Sequence, residues 1–508
     1  MRFINRLILI QVFSLFLLNT INAQLTPQEA IQKIKRGINL GNSLDAHPTE
    51  TSWGNPAIQK QYFDDYVNAG FTCVRIPITW KDHISNTSPY TINQTWLNRV
   101  DTVVSWALAK GLYVIINIHH EDDFKKIDTM KNLVAKAEMI AKYDSLWSQI
   151  SIKFKSKSEN LFFEMLNEPL KLTLSTVNEF NKRILGIIRK NNPTRIVLFS
   201  GTDYTGADKL IESTVPDVND KFLMAYFHSY DPWSFAGEAK GTWGSGGNLS
   251  NAKSMFTKVA NWSKANNIPV VLNEFGAINK CDYNSRMYYY ATFVEQPLNN
   301  NIRVTTSDDN GNFQCYNRTT RTWNDAKDVI IYTYKESPTK LITSVLDTTI
   351  SITWTNRTTL NDSIYVDRRT SNTTFYPIAR LSPTATSFKD SALLRNTSYY
   401  YRLRTNLLDS IDLYSYPITA KTAATPTDNE EIKKGGFNIY PNPASKSVFI
   451  VRNAETIDKT MDIYNSYGLK IKSVMLSKSV TEIPLEGISN GIYFFVNNSL
   501  SRKVIIQN

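Results

Sequence analysis

The chain has 508 residues, 42% of them hydrophobic and 12% aromatic, with a formal charge of +11. That length and apolar content exclude a disordered chain and predict several domains, each with its own core. Lys and Arg are scattered among 46 acidic residues rather than gathered in a basic stripe, which argues against a nucleic-acid partner, and three cysteines are too few for a disulfide framework.

Met1 to Ala23 places Arg2 and Arg6 ahead of the apolar run LILIQVFSLFLL and ends in Ile21-Asn22-Ala23. This pattern predicts a secretory signal cleaved after Ala23. The run is short for a membrane span, and no second apolar stretch of spanning length follows, so no transmembrane segment is expected. Buried strands are then predicted at Gly37–Leu40, Cys73–Ile76, Tyr113–Ile118, Leu161–Leu166, Ile196–Phe199, Phe222–Phe227, Pro269–Leu272 and Ile302–Thr305. Amphipathic helices lie between them; after the second strand, Leu97, Val100, Val104 and Leu108 share one helical face, and Gly111 ends that helix. Eight strands over roughly 300 residues fit an α/β fold of the closed (β/α)8 TIM-barrel kind better than an open doubly wound sheet, and no G-x-G-x-x-G follows the first strand. Cys73 reads as a small buried hydrophobe; pairing of Cys281 with Cys315 is left open, and no spacing suggests zinc.

Two strand ends carry the chemistry. LFFEMLNEP delivers Asn167 and Glu168, with Pro169 refusing a further ladder hydrogen bond; IPVVLNEFGA delivers Glu274. Alone, Asn167-Glu168-Pro169 reads equally well as a capped helix start. A pair of strand-end glutamates is what glycoside hydrolysis requires, one protonating the leaving oxygen and one attacking the anomeric carbon or activating water. Other polar residues fall at the same ends: Asn39 and Asn42, Arg75, His119 and His120, and His228 and Tyr230. Of the five histidines, three sit at predicted strand ends, where barrel enzymes carry their sites.

The segments RGINLGNSLDA, ETSWGNP, GFTCVRIPITW, GLYVIINIHHE, FFEMLNEP, HSYDPW and VVLNEFGA resemble, in order, glycoside hydrolase family 5, the cellulase family, over about Leu25 to Tyr334. The resemblance implies Glu168 as acid/base and Glu274 as nucleophile. It implies that Asn167 holds the sugar 2-hydroxyl, Arg75 and Tyr230 keep Glu274 ionised, and His228 tunes Glu168. His119 would bind at the cleavage subsite with His120 beside it. Trp53, Trp80 and Trp233 are candidates for stacking on sugar faces, the alternative for each being simple core packing. One departure stands out: relatives end the eighth strand with a tryptophan beneath the cleaved sugar, and Ser307 stands here instead, which predicts a slower enzyme unless Phe313 supplies a ring.

From Thr339 the pattern turns to all-β alternation, and Trp354 with Thr397-Ser398-Tyr399 resembles a fibronectin type III module over 339–423, expected to act as a spacer. Residues 424–436, with Pro426 and Gly435-Gly436, read as a linker. The segment 437–508 reads as a small β-domain; Tyr440-Pro441-Asn442-Pro443-Ala444, Gly491-Ile492-Tyr493-Phe494 and Lys503-Val504-Ile505-Ile506 resemble the C-terminal sorting domain of type IX secretion. The sum of these resemblances is an exported, monomeric, retaining endo-β-1,4-glucanase acting on β-glucan without metal or cofactor and engaging the type IX machinery. The alternatives are a β-mannanase or xyloglucanase on the same barrel, or, given Ser307, a non-catalytic glycan-binding protein.

Overall fold

The computed structural model describes residues 24–507 except 358–362, 372, 408–410, 425–435, 453–458 and 499. The expected signal segment and nearly all of the expected linker lie outside the described residues. Helix α1 (Pro27–Lys33) opens the fold, started by a reciprocal Thr26/Glu29 capping box. Eight strands follow: β1 (Gly37–Asn39), β2 (Cys73–Ile76), β3 (Tyr113–Asn117), β4 (Leu161–Glu164), β5 (Val197–Phe199), β6 (Leu223–His228), β7 (Val270–Glu274) and β8 (Arg303–Thr306). They pair in parallel in sequence order, and β8 returns to β1 to close the barrel. At that seam a Cβ on Gly37 would stand 2.6 Å from the Thr305 hydroxyl, so only glycine fits.

The outer ring comprises α2 (Gln61–Ala69), α3 (Gln94–Ala109), α4 (Leu133–Lys153), α5 (Leu174–Arg189), α6 (Ala207–Glu212), α7 (Trp233–Ala236), α8 (Gly246–Asn266), α9 (Tyr283–Asn299) and α10 (Asp325–Tyr332). On α3 the predicted face is the buried one, and Gly111, at φ +77°, turns the chain out of the helix. The interior of the barrel is layered. Cys73, Ile115, Phe162, Leu198, Met224 and Val271 pack against Leu25, Ala30, Ile31 and Ile34, so α1 and its flanks close the N-terminal end with apolar side chains. Side chains two residues on point to the same face of a strand. There the interior becomes polar: Arg75, Asn117, Glu164 and Asn273, all buried, form the floor beneath the C-terminal mouth.

A short hairpin, β9 (Tyr316–Asn317) and β10 (Thr322–Trp323), lies between β8 and α10. Eight further strands follow: β11 (Thr339–Leu346), β12 (Thr349–Thr355), β13 (Ile364–Thr370), β14 (Tyr376–Leu381), β15 (Ser387–Asp390), β16 (Ser398–Leu407), β17 (Ile411–Tyr414) and β18 (Ile418–Lys421). They form a three-stranded sheet, β11-β12-β15, and a second sheet, β14-β13-β16-β17, to which β18 adds through β16. Trp354 is buried, and the Tyr399 hydroxyl accepts a hydrogen bond from the Leu394 backbone at 3.0 Å, the geometry of a tyrosine corner.

These sheets pack directly on α9 and α10. Asp325 pairs with Arg369 at 2.5 Å and Asp328 with Arg402 at 3.1 Å, while Tyr288 stacks on Tyr416 at 4.8 Å between ring centroids. Asn284 and the Thr419 backbone exchange hydrogen bonds of 3.0 and 2.7 Å. Barrel and sandwich accordingly share one compact unit and one hydrophobic core.

Residues 423–508 form a second compact unit. In it β19 (Phe437–Tyr440), β20 (Ser447–Arg452), β21 (Thr460–Asn465), β22 (Lys470–Met475), β23 (Val480–Pro484), β24 (Gly491–Asn497) and β25 (Leu500–Ile506) make sheets ordered β19-β20-β23 and β22-β21-β24-β25. Val448, Ile450, Met461, Ile463, Phe495 and Val504 supply its core. Among the described residues no helix is long and apolar enough to cross a membrane.

Candidate active site

The strand ends and their following loops enclose a cleft of about 700 Å³, lined by Asn42, His119, His120, Asn167, Glu168, His228, Tyr230, Trp233, Glu274, Ser307 and Phe313. Its floor is a connected set of hydrogen bonds centred on Arg75. The Arg75 guanidinium donates to both oxygens of Glu164 at 2.6 and 2.7 Å, to Asn167 Oδ1 at 2.8 Å, to Asn39 Oδ1 at 2.8 Å and to Glu274 Oε1 at 2.5 Å. Because Asn167 Oδ1 is taken from below, its amide N–H groups are the ones left to face the cleft.

Glu274 receives a second hydrogen bond, from the Tyr230 hydroxyl to Oε2 at 2.8 Å. That hydroxyl has a single proton, already given to a carboxylate that can only accept, so Ser307 Oγ, 2.5 Å away, donates to Tyr230. Burial pushes the Glu274 carboxyl up, but His228 and Arg75, with the hydrogen bonds from Tyr230 and Arg75, outweigh it and hold the group well below the ordinary carboxylate range. Tyr230 moves well above its ordinary value, through burial and then the Glu274 charge, and so stays a donor.

Across the cleft, Glu168 sits at φ +37°, a left-handed conformation that a glutamate rarely adopts, and its Oε1 lies 2.9 Å from His228 Nδ1. The same nitrogen is 3.7 Å from Glu274 Oε2. One carboxylate oxygen of Glu168 and one of Glu274 lie within 4.8 Å of each other. The arrangement offers an ionised carboxylate facing a second carboxyl that shares a hydrogen bond with an imidazole.

His119 is positioned as a donor. Asn117 Oδ1 accepts from the Ile78 backbone at 3.0 Å, which turns its Nδ2 toward Glu164 Oε1 at 2.9 Å and His119 Nδ1 at 3.0 Å. His119 Nδ1 is thereby the acceptor and Nε2 carries the proton; burial, then the nearby His120 and Arg75, lowers the ring's pKa well below its ordinary value and keeps it neutral. Asp45, His119 and His120 also converge, with one potential metal-binding atom each within 4.8 Å. Asp45 already caps the Asn42 and Ser43 backbone N–H groups at 3.0 and 2.7 Å.

On the rim, Trp233 is 52% exposed and lines the cleft, and Trp53, 41% exposed, makes an edge contact with His120. Trp80 is not a stacking residue: it is fully buried, with its indole N–H donating to the Asn117 carbonyl at 3.0 Å. Phe313 packs 5.2 Å from Tyr230 and presents a ring to the cleft beside Ser307. All three cysteines are free and buried, so Cys281 and Cys315 are unpaired. Sequence reasoning missed Glu164, Asn117 and Asn273 in the floor and the exposed Tyr204 at the rim. A carboxylate inside a strand buried on both faces, as in LFFEMLNEP, was the available signal for Glu164, since such a charge requires partners.

Residues 38–309 match the cellulase family, glycosyl hydrolase family 5, and residues 438–507 match the secretion system C-terminal sorting domain. Endoglucanase H of Acetivibrio thermocellus is 40% identical over 305 residues, covering 58% of this chain and 32% of the relative; endoglucanase A of Ruminococcus albus is 31% identical, covering 53% and 80%. The chain thus spans about a third of the length of endoglucanase H, and 39% of that of the cellulase/esterase CelE. Among solved structures, a hyperthermophilic endo-β-1,4-glucanase in complex with substrate superposes with a TM-score of 0.57 at 32% identity, covering 60% of this chain and 99% of that one. Cel5A of Thermotoga maritima superposes with a TM-score of 0.56 at 31% identity, covering 60% and 100%. With the eight-stranded barrel and the two strand-end glutamates in place, the match over residues 38–309 establishes that this chain belongs to glycosyl hydrolase family 5, and its C-terminal unit to the secretion sorting domains.

Proposed function

We propose that the protein is an exported, retaining endo-β-1,4-glucanase. Glu168 protonates the glycosidic oxygen while Glu274 attacks the anomeric carbon; Glu168 then takes a proton from the water that releases the glycosyl-enzyme. The observation that carries this is the separation of the two carboxylates, with oxygens within 4.8 Å. Retaining pairs stand about 5–5.5 Å apart, whereas inverting pairs leave about 6.5–9.5 Å for a water. The depressed Glu274 pKa supports an ionised nucleophile, and the N–H groups that Asn167 turns toward the cleft support its binding of the sugar 2-hydroxyl. Phe313 and Trp233 serve as the apolar surfaces against which sugar rings stack, Phe313 taking the part that the missing tryptophan at Ser307 would play.

The sandwich is a fibronectin type III-like module that braces the barrel. Export begins with the signal segment and passes through the periplasm, and the C-terminal unit then presents the chain, a monomer, to the type IX machinery for release or display at the cell surface. A second reading, β-mannanase, is favoured by one observation: Cel5A has been solved with mannotriose as well as with cellobiose. Hydrolysis of carboxymethylcellulose, mannan, xyloglucan and xylan is the test. Preferred cleavage of carboxymethylcellulose is expected; preference for mannan or xyloglucan moves the protein to the corresponding activity, and no hydrolysis of any of them defeats the enzymatic reading.

A further inference from the structure

Glu164 touches no part of the cleft, yet four hydrogen bonds converge on it: two from Arg75, one from Asn117 at 2.9 Å and one from Asn273 at 2.5 Å. We propose that Glu164 is a positioning residue for the reaction, setting Glu274 and Asn167 through Arg75, and His119 through Asn117. This rests on Glu274 and Asn167 having the roles proposed above.

The fold alone does not call for the arrangement. Glu164 and Arg75 are both fully buried, and a buried ion pair costs so much desolvation that apolar residues of similar volume often stabilise a core as well or better. What the pair supplies is direction. A guanidinium has five N–H donors in a rigid fork. Glu164 takes two of them side by side, which fixes the plane of the fork. The remaining three fall on Asn39, Asn167 and Glu274. A single Arg75 N–H therefore reaches the nucleophile, on Oε1, leaving Oε2 to Tyr230 and the cleft. The hydrogen bond to Asn167 Oδ1 turns the amide N–H groups of Asn167 upward. On the other arm, Asn117 gives one hydrogen to Glu164 and the other to His119 Nδ1, so the carboxylate that orients Arg75 also holds the amide that selects the His119 tautomer. Three cleft-facing groups are thus aimed from one buried carboxylate.

Glu164→Gln keeps the shape but replaces one accepting oxygen with an NH2 that faces an Arg75 N–H, and it removes the buried counter-charge. Of the two arms Asn117→Ala cuts the second, together with the hydrogen bond that Asn117 Oδ1 accepts from the Ile78 backbone, and it leaves the Arg75 arm in place. Kinetics on an aryl β-cellobioside and on its analogue lacking the 2-hydroxyl of the cleaved ring separate the two. For Glu164→Gln we expect kcat to fall at least about 100-fold and the preference for the 2-hydroxyl substrate to shrink at least about tenfold, because Asn167 is no longer aimed. Asn117→Ala should raise KM at least about tenfold and leave the 2-hydroxyl preference intact. An unchanged 2-hydroxyl preference in a folded Glu164→Gln protein, or an unchanged KM in Asn117→Ala, overturns the proposal; if Glu164→Gln does not fold, the Asn117→Ala result decides. Should the wild type cleave no cellobioside, the proposed function fails on its own account. The 15N signals of the Arg75 guanidinium and the His119 ring in the unliganded variants then read the same arrangement without substrate: a shift of Arg75 in Glu164→Gln and of His119 in Asn117→Ala supports it, and unmoved signals overturn it.

Discussion

Individual side chains in this protein are held by partners that sequence proximity does not provide. Phe313 lies six residues past Ser307 and packs beside Tyr230 at the cleft wall. If its ring is a sugar platform, Phe313→Ala should forfeit about 1–3 kcal/mol of contact, a roughly ten- to hundredfold fall in kcat/KM on cello-oligosaccharides. Unchanged kinetics would remove Phe313 from the substrate site. A second residue, Glu121, follows the His119-His120 pair and is buried against the Trp80 backbone N–H at 2.7 Å and the Tyr143 hydroxyl at 3.0 Å. Burial raises its carboxyl from 4.5 to about 7, against the pull of those two hydrogen bonds. Because the folded pKa exceeds the unfolded one, the stability linked to this proton is full at low pH and is lost as pH rises from about 4.5 through about 7. Glu121→Gln stays neutral, so its Tm relative to wild type should climb across that window and level off above it. A difference that is flat with pH would mean that Glu121 is ionised throughout.

At the level of strands and helices, the barrel is legible because parallel strands buried on both faces read as continuous apolar runs, and a polar residue at the end of such a run stands out. Glu168, Glu274, His119 and His228 were found that way. The floor residues were not, because their meaning comes from barrel closure: Glu164 meets Arg75 across 89 positions and Asn273 across 109. Trp80 shows the opposite failure. A tryptophan just past a strand end suggests a sugar platform, but the Asn117 carbonyl on the neighbouring strand satisfies its indole N–H and the ring belongs to the core. The contact of α9 and α10 with the sandwich was equally hidden, since matching Asp325 and Asp328 to Arg369 and Arg402 needs the surfaces of both elements at once. That contact predicts that Asp325→Asn combined with Asp328→Asn lowers Tm by at least about 3 °C, with a smaller loss for each alone, read by calorimetry at two salt concentrations. Equal Tm values would mean that the ion pairs are ornamental to the interface.

For the whole molecule, the barrel and sandwich act as one body whose stability cannot be assigned to the barrel alone. Ending the chain at residue 336 would expose Tyr283, Tyr288 and Tyr332, which now pack on Tyr400, Tyr416 and Tyr414. The shortened protein should unfold at least about 5 °C lower or aggregate. Under the proposed function, Glu274 is the nucleophile of a retaining glycosidase. The most direct measurement is intact-mass and peptide mapping after incubation with a 2-deoxy-2-fluoro cellobioside bearing a good leaving group. One glycosyl adduct per chain, on the peptide containing Glu274 and absent from Glu274→Gln, is the predicted result; an adduct on any other carboxylate, or turnover of glucan with inversion and no adduct, would contradict it.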